Sequence, residues 1–181
     1  MNYQSVIGGL ILTCFFISCQ PKANISTIDN PMSGFTANVV DSTRGAATLQ
    51  ELANYLFLSL KDDITFEQLS RYFPDSGNVA MIYEITAADT KGVNLKSIAD
   101  SAQIQLRRGW LKTHREAAEL KVNWTDATFK SLQIMDIENQ KIPSKKIMLE
   151  CKSGTQTLRA SARCMMIGNR WFIGEDIKFG V

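Results

Sequence analysis

Apolar residues recur at helical spacing in the first half of the chain, from residue 48 onward. Thr48 and Glu51 form a capping-box pattern, since a hydroxyl and a carboxylate three residues apart can each bond a backbone N–H at a helix start. The apolar residues that follow lie on one helical face: Leu49, Leu52, Ala53, Leu56 and Leu60. A second pattern opens at Thr65 and ends at Pro74. These patterns predict two helices, the second of them short.

Two further segments complete the helical half of the chain. The stretch "NVAMIYEITAAD", residues 78–89, fits a helix or a strand, and we favour a helix. A long helix is predicted from Ser97 to about Leu120, and Ile104, Leu111 and Ala118 share one face of it. Gly109 lies inside this helix at a cost of ~1 kcal/mol relative to alanine.

Apolar and polar residues alternate with period two from Thr128 onward, which predicts strands. A first strand contains Leu132 and Ile134 and ends near Asn139. The stretch "KKIMLECKSGTQTLRASARCMMIGNRWFIGEDIKF" then predicts three strands, joined by tight turns at 154–155 and 168–169. Counting outward from the turns gives the register as pairs of facing residues: Ile147–Ala162, Leu149–Ala160, Cys151–Leu158, Met166–Trp171, Cys164–Ile173 and Ala160–Ile177.

This register makes one face of the sheet apolar and the other largely charged. The charged face holds Lys146, Glu150, Lys152, Arg159, Ser161, Arg163, Asp176 and Lys178. Four apolar residues also lie on it, where they form a homodimer patch or are covered by the preceding chain: Met148, Met165, Ile167 and Phe172. Cys151 and Cys164 share the apolar face about 20 Å apart, too far for a disulfide. Helices followed by an antiparallel sheet predict an α+β fold.

Composition excludes several classes of function. The formal net charge is +2 and no basic run exceeds two residues, so we expect no nucleic acid partner. His114 is the only histidine and there is no Cys-x-x-Cys spacing, so we expect no metal site. No phosphate-binding or dinucleotide-binding loop is present, and we expect no cofactor. Residues 20–46 are rich in Pro, Gly, Ser, Asn and Thr and predict a flexible tether, part of which can dock.

The small residues Ala160 and Ala162 lie in the middle of the apolar face and predict a cavity beneath the helices. Its expected lining is Leu149, Ala160, Ala162, Trp171, Ile173, Glu175 and Ile177. In the simple register Glu175 points inward opposite Ala162, where burial would raise the pKa of its carboxyl and suit it to shuttle protons. Alternatively, Gly174 marks a bulge that turns Glu175 outward and Asp176 inward, or Glu175 lies at the wet rim.

Four other side chains are weaker candidates. His114 on the long helix is expected to be half-buried or exposed, with no evident partner for catalysis. Tyr55, Tyr72 and Tyr83 either line the mouth of the cavity or belong to the core.

The N-terminus carries an apolar run, residues 6–18, that is too short to span a membrane. Phe16-Ile17-Ser18-Cys19 closes it and resembles the lipobox of bacterial lipoproteins. The resemblance implies a signal peptide over 1–18, lipid on Cys19, and, from Gln20, an outer-membrane location in the cell envelope. Cys14 follows a less suitable residue, Thr13. A cleaved secretory signal or a packed hydrophobic tail is the alternative.

The end of the chain resembles the nuclear-transport-factor-2-like (cystatin-like cone) superfamily. The resemblance rests on Gly168-Asn169-Arg170-Trp171-Phe172-Ile173 and on "VNWTDATFKSL", which is similar to small lipid-anchored members from Bacteroidetes-type bacteria. It implies a cone-shaped domain over 47–181, with a curved sheet roofed by helices and a mouth that can hold a ligand or an active site.

Three kinds of function fit these features. The first is a lipid-anchored, non-enzymatic domain that binds a small apolar ligand or an envelope protein. The second is an enzyme related to the isomerases and dehydratases of that superfamily, with Glu175 as its acid. The third is a structural part of an envelope assembly.

Overall fold

The structure is a computed structural model that describes residues 24–29 and 44–180. The predicted signal peptide, Cys19 and most of the predicted tether lie outside the described residues. Within them, four α-helices are followed by the long strands of an antiparallel sheet, so the α+β class is confirmed. None of the helices in these two ranges is long and apolar enough to cross a membrane.

The helices are α1 (Leu49–Leu60), α2 (Phe66–Leu69), α3 (Ser76–Thr86) and α4 (Leu95–Glu119), and a 3-10 turn (Ser70–Tyr72) follows α2. Thr48 caps α1 as predicted, but the Glu51 carboxylate accepts from the N–H of Ala47 instead of Thr48. The ambiguous segment after residue 77 is helical, because Asp75 and Asn78 form a capping box that starts α3.

Five strands form one antiparallel sheet in the order β1-β2-β3-β4-β5. They are β1 (Ile25–Asp29), β2 (Thr128–Ile137), β3 (Ser144–Ser153), β4 (Gln156–Ile167) and β5 (Arg170–Gly180). A second 3-10 turn (Trp124–Asp126) precedes β2.

Two parts of the predicted tether are ordered against the domain. Residues 25–29 form β1, which pairs with β2 from Ile25–Met135 to Asp29–Ser131 and places Ile28 against the core. Farther on, Ala46 forms an antiparallel bridge with Trp171, and Arg44 forms an ion pair with Asp75 at 3.2 Å. These segments satisfy backbone groups at both edges of the sheet, so part of the predicted tether docks on the domain, as the sequence allowed.

The predicted register is confirmed between β3 and β4 and at the start of the β4–β5 hairpin. Leu149 faces Ala160, and Cys164 faces Ile173. Beyond Ile173 the pairing shifts twice, so Ala160 faces Phe179 and not Ile177. The first shift adds a residue to β5 at Gly174, the bulge that the sequence left open, and the second adds one between Glu175 and Lys178.

The inner face of the sheet, which carries Leu149 and Ala160, packs against α1. Its apolar side chains join those of α1 in one cluster of buried residues. The rings of Phe57 on α1 and Phe129 on β2 meet edge to face at 5.1 Å. Burial of this continuous apolar area is the main source of stability.

The outer face of the sheet is covered at one end. Phe172 is buried there beneath Gly45, whose position leaves no room for a side chain over the ring. Ile167 is also buried, whereas Met148 and Met165 are half-buried. The segment that contains Gly45 thus covers part of the apolar patch that the sequence analysis assigned to a homodimer contact. The homodimer itself stays a prediction.

Helix α4 lies along β5, the strand at one end of the sheet. A Cβ at Gly109 would lie 2.9 Å from the carbonyl oxygen of Ile177, so only glycine permits this approach. The residues of α4 that face the protein are Ala99, Leu106, Thr113 and Ala117. Ile104 and Leu111 point away, and each is 52% exposed. The face that they share with Ala118 is therefore the solvent face.

We expect Gly109→Ala to lower the free energy of unfolding by about 2 kcal/mol, because the new methyl group would push α4 off β5. Helix propensity alone would instead raise stability by about 1 kcal/mol. Ser101→Ala, at an exposed position of α4, is the control and should not destabilise. Urea denaturation measures both, and a more stable Gly109→Ala variant would contradict the close packing.

Candidate functional site

The cavity predicted on the inner face is occupied by the protein's own core. Leu149, Ala160 and Ile173 have no exposed surface, and Ala162, Ile177 and Trp171 are also buried. These side chains pack with Leu52, Leu56 and Leu60 of α1 in the main core cluster. The small residues at 160 and 162 make room for the helix, and the predicted binding pocket is part of the core.

Glu175 lies on the outer face, contrary to the simple register. The shift at Gly174 pairs it with Arg163, and its carboxylate accepts a hydrogen bond from that guanidinium at 3.1 Å. The carboxylate is 25% exposed. This placement removes the basis for Glu175 as a proton shuttle in an apolar cup.

The structure instead places a cavity of about 100 Å³ on the outer face of the sheet, between α3, the start of α4 and the β2–β3 loop. Tyr83 and Thr86 of α3 line it on one side, and Met165 of β4 lies on another. Apolar side chains of Val79, Ile82, Ile98 and Ala102 form most of its wall. We call this space the α3 cavity.

Tyr83 is the most unusual polar residue in the lining of the α3 cavity. The side chain is 6% exposed, and the hydroxyl oxygen is buried with no hydrogen-bond partner among the described residues. Leaving a buried hydroxyl unpaired costs about 1–3 kcal/mol. Such a group is retained either at that cost or because a bound molecule supplies the missing partner.

Other polar groups of the α3 cavity come from the β2–β3 loop. The Lys141 ammonium donates to the carbonyl of Thr86 at 3.0 Å, and the Ser144 hydroxyl donates to the carbonyl of Ile142 at 2.9 Å. Asn139 turns the loop in the left-handed conformation, φ 60°, which asparagine tolerates better than most residues. The loop therefore adds a positive charge to an otherwise apolar space.

A second, larger space lies between α4 and β5. This groove, which we call the α4–β5 groove, measures about 350 Å³. Arg108 and Lys112 of α4 line one side, and Lys178 and Glu175 of β5 line the other. Cations outnumber acids in its lining. The lining of the α4–β5 groove has four charged side chains, whereas Lys141 is the one charged residue in the lining of the α3 cavity.

His114 is half-buried on α4, one of the two placements that the sequence predicted. Its ring contacts that of Trp110 with centroids 4.3 Å apart, and its Nε2 atom is buried without a partner in the described part of the chain. Burial lowers the pKa of His114, although the nearby Asp62 opposes this. The imidazole is therefore neutral at pH 7 and serves as part of an aromatic cluster.

The remaining candidates are core residues. Tyr55 and Tyr72 stack at 4.5 Å, and burial together with a hydrogen bond to Tyr55 raises the pKa of Tyr72. Cys151 and Cys164 are free and buried, as expected. Burial raises the pKa of Cys151 to about 12 and also raises that of Cys164, so both thiols are unreactive.

No cluster of three or more His, Cys, Asp or Glu residues that could hold a metal ion occurs in residues 24–29 and 44–180. Together, the described residues define an α+β domain that contains an apolar cavity and a basic groove. No family model, curated protein or solved structure matches the chain.

The sequence singled out Tyr83 as a possible lining residue but missed Thr86, Lys141 and Ser144. The α3 cavity lies on the face of the sheet that alternation marks as charged, and its walls come from five separate segments. Asn139 indicates a turn and the capping box indicates the start of α3. Neither signal predicts that the β2–β3 loop lies against α3.

We expect Tyr83→Phe to raise the free energy of unfolding by about 1 kcal/mol, because it removes an unpaired buried hydroxyl. Tyr72→Phe is the matched control and should lower it by about 1 kcal/mol, since that hydroxyl bonds to Tyr55. Urea denaturation of the ligand-free protein measures both. A destabilised Tyr83→Phe variant would mean that the hydroxyl has a structural partner.

Proposed function

We propose that the protein is a non-enzymatic ligand-binding domain whose site is the α3 cavity. The observation that carries this proposal is Tyr83, a lining residue of the cavity whose buried hydroxyl has no hydrogen-bond partner among the described residues. Binding sites of this type combine a mostly apolar wall with a few polar groups that orient the ligand.

The chemistry of the lining indicates what the ligand presents. Tyr83 can donate a hydrogen bond, and the ammonium of Lys141 has donors beyond the one that bonds Thr86. A ligand with a carbonyl or carboxylate oxygen would pair with both groups. The rest of it must be apolar and small, since about 100 Å³ holds a single ring or a short chain.

The placement of Glu175 supports binding over catalysis. Its carboxylate is paired with Arg163 on the edge of the α4–β5 groove, and it does not line the α3 cavity. The isomerase-like alternative would need an acid or base beside the ligand. The residues that line the α3 cavity include no Asp, Glu, His or Cys.

We also propose that a lipid on Cys19 holds the domain at the cell envelope, on the outer membrane. The support is the sequence Phe16-Ile17-Ser18-Cys19 after a short apolar run. Kinship with the nuclear-transport-factor-2-like superfamily, with its cone-shaped sheet, is part of the same proposal. Its support is the order of elements, helices before the four long strands of an antiparallel sheet, and the β4–β5 hairpin with Trp171 just after its turn.

Benzoate is a suitable probe of the α3 cavity, because it joins one ring to a carboxylate. We expect the full chain to bind it with a Kd of about 1 mM and Tyr83→Phe to bind it about tenfold more weakly. NMR titration measures the affinity and identifies the residues whose signals shift.

Two controls make this measurement specific. Toluene lacks the carboxylate and should bind the parent and Tyr83→Phe equally, and Tyr72→Phe should bind benzoate like the parent. Equal benzoate affinity of the parent and Tyr83→Phe, or signal shifts away from α3 and the β2–β3 loop, would refute the α3 cavity as the site.

The lipid anchor can be tested by growing a Gram-negative bacterial host that makes the full chain with an alkyne analogue of palmitate. We expect label on the parent and on Cys14→Ser, and none on Cys19→Ser, because Cys19 occupies the lipobox position. Label that is lost from Cys14→Ser, or is absent from the parent, would contradict the proposal.

A further inference from the structure

Helix α4 exposes a stripe of large apolar and basic side chains. Ile104 and Leu111 are each 52% exposed and stand seven residues apart, so they lie on the same side of the helix. Arg107, Arg108 and Arg115 are exposed around them. We call these five residues the α4 ridge.

Acidic residues are absent from the middle of this helix. From Ile104 to Arg115 the sequence "IQLRRGWLKTHR" has cations at 107, 108, 112 and 115 and no Asp or Glu. The acids of α4 are Asp100 near its start and Glu116 and Glu119 near its end. The α4 ridge is therefore positively charged as well as partly apolar.

The ion pairs made by these cations leave them accessible. They join exposed side chains at 3.5 to 4.0 Å: Arg107–Glu67, Lys112–Glu116 and Arg115–Glu119. Exposed pairs of this kind contribute little free energy and are readily exchanged. Arg108 makes no hydrogen bond or ion pair within residues 24–29 and 44–180.

The α4–β5 groove continues the α4 ridge toward the sheet. Arg108 belongs to both, Lys112 follows one turn later, and Lys178 adds a cation from β5. A phosphate group could enter the groove while Ile104 and Leu111 lie beside it. The position of Gly109 against Ile177 fixes this arrangement, because it holds the opposite face of the helix on the strand.

We propose that the α4 ridge docks on the surface of an anionic phospholipid bilayer. Helices that lie on membranes combine apolar side chains that enter the headgroup region with cations that attract anionic lipids. Each Lys or Arg near such a surface strengthens binding by about fivefold. This contact goes beyond the proposed function, and it requires neither the α3 cavity nor the lipid on Cys19.

Vesicle flotation of the full chain tests the proposal. Vesicles of phosphatidylcholine alone are compared with vesicles that contain about 30% phosphatidylglycerol, a surface charge that attracts clustered cations. The apolar N-terminal run contributes to both measurements, so the difference between the two vesicle types reports the ionic contact. We expect tighter binding to the anionic vesicles and loss of that difference in about 0.5 M salt.

Paired variants assign the contact to the α4 ridge. Arg108→Gln with Arg115→Gln should weaken binding to anionic vesicles by about 25-fold, at fivefold for each cation. The control, Lys130→Gln with Lys152→Gln, removes the same charge from exposed positions of the sheet and should have little effect. If both double variants lost the same affinity for anionic vesicles, net charge alone would explain the binding, and the proposal would be overturned.

Two further arms distinguish the kind of partner. Ile104→Gln with Leu111→Gln should weaken binding to anionic vesicles about tenfold, whereas Ile85→Gln on α3 should not. Inorganic phosphate at about 10 mM and matched ionic strength should not displace the protein, because soluble phosphate offers no apolar surface. Displacement by phosphate, unchanged binding of the apolar variant, or no preference for anionic vesicles would each overturn the proposal.

Discussion

The contact between Gly109 of α4 and the backbone of Ile177 in β5 determines much of this structure. A side chain at Gly109 would meet the carbonyl oxygen at 2.9 Å, so the helix can lie directly against the strand only where it has none. That approach covers one end of the sheet, which otherwise presents unpaired backbone groups. It also fixes the rotation of α4 about its own axis, since the face containing Gly109 must be the buried one.

The rotation of α4 separates two kinds of surface. Leu106, Thr113 and Ala117 face the protein, whereas Ile104 and Leu111 face solvent among arginines. On the outer side of the sheet, the start of α4 and α3 enclose the α3 cavity. The inner side is closed by α1, whose buried leucines belong to the same core cluster as Ala160 and Ala162. The proposed binding site and the proposed membrane contact thus lie on opposite flanks of one helix.

The sequence was most informative where local chemistry and alternation agree. Turn residues 154–155 set the register of β3 with β4, including the pairing of Leu149 with Ala160, and residues 168–169 set the start of the β4–β5 pairing. The register failed after Ile173, because a bulge adds residues without changing the types of amino acid around it. Glu175 therefore reached the opposite face, although Gly174 was a visible reason to expect this.

Tertiary contacts decided what local pattern could not. A helix with apolar residues on two faces does not reveal which face is buried. Helix propensity counts Gly109 as a cost, whereas in the structure it permits the close approach of α4 to Ile177. The sequence of residues 25–29 resembles a tether, because a strand that pairs with a neighbour on just one side can form with few buried side chains. The α3 cavity combines residues from 74 to 174 and has no signature in any single segment.

The pairing of β1 with β2 has a mechanical consequence. Hydrogen bonds of an antiparallel pair run perpendicular to the strands. Tension applied at residue 24 along the strand axis would thus shear the whole β1–β2 ladder at once instead of opening it bond by bond. Five paired residues, Ile25 to Asp29, would share the load. The short strand β1 thereby gives the domain mechanical resistance to force applied from the N-terminal side.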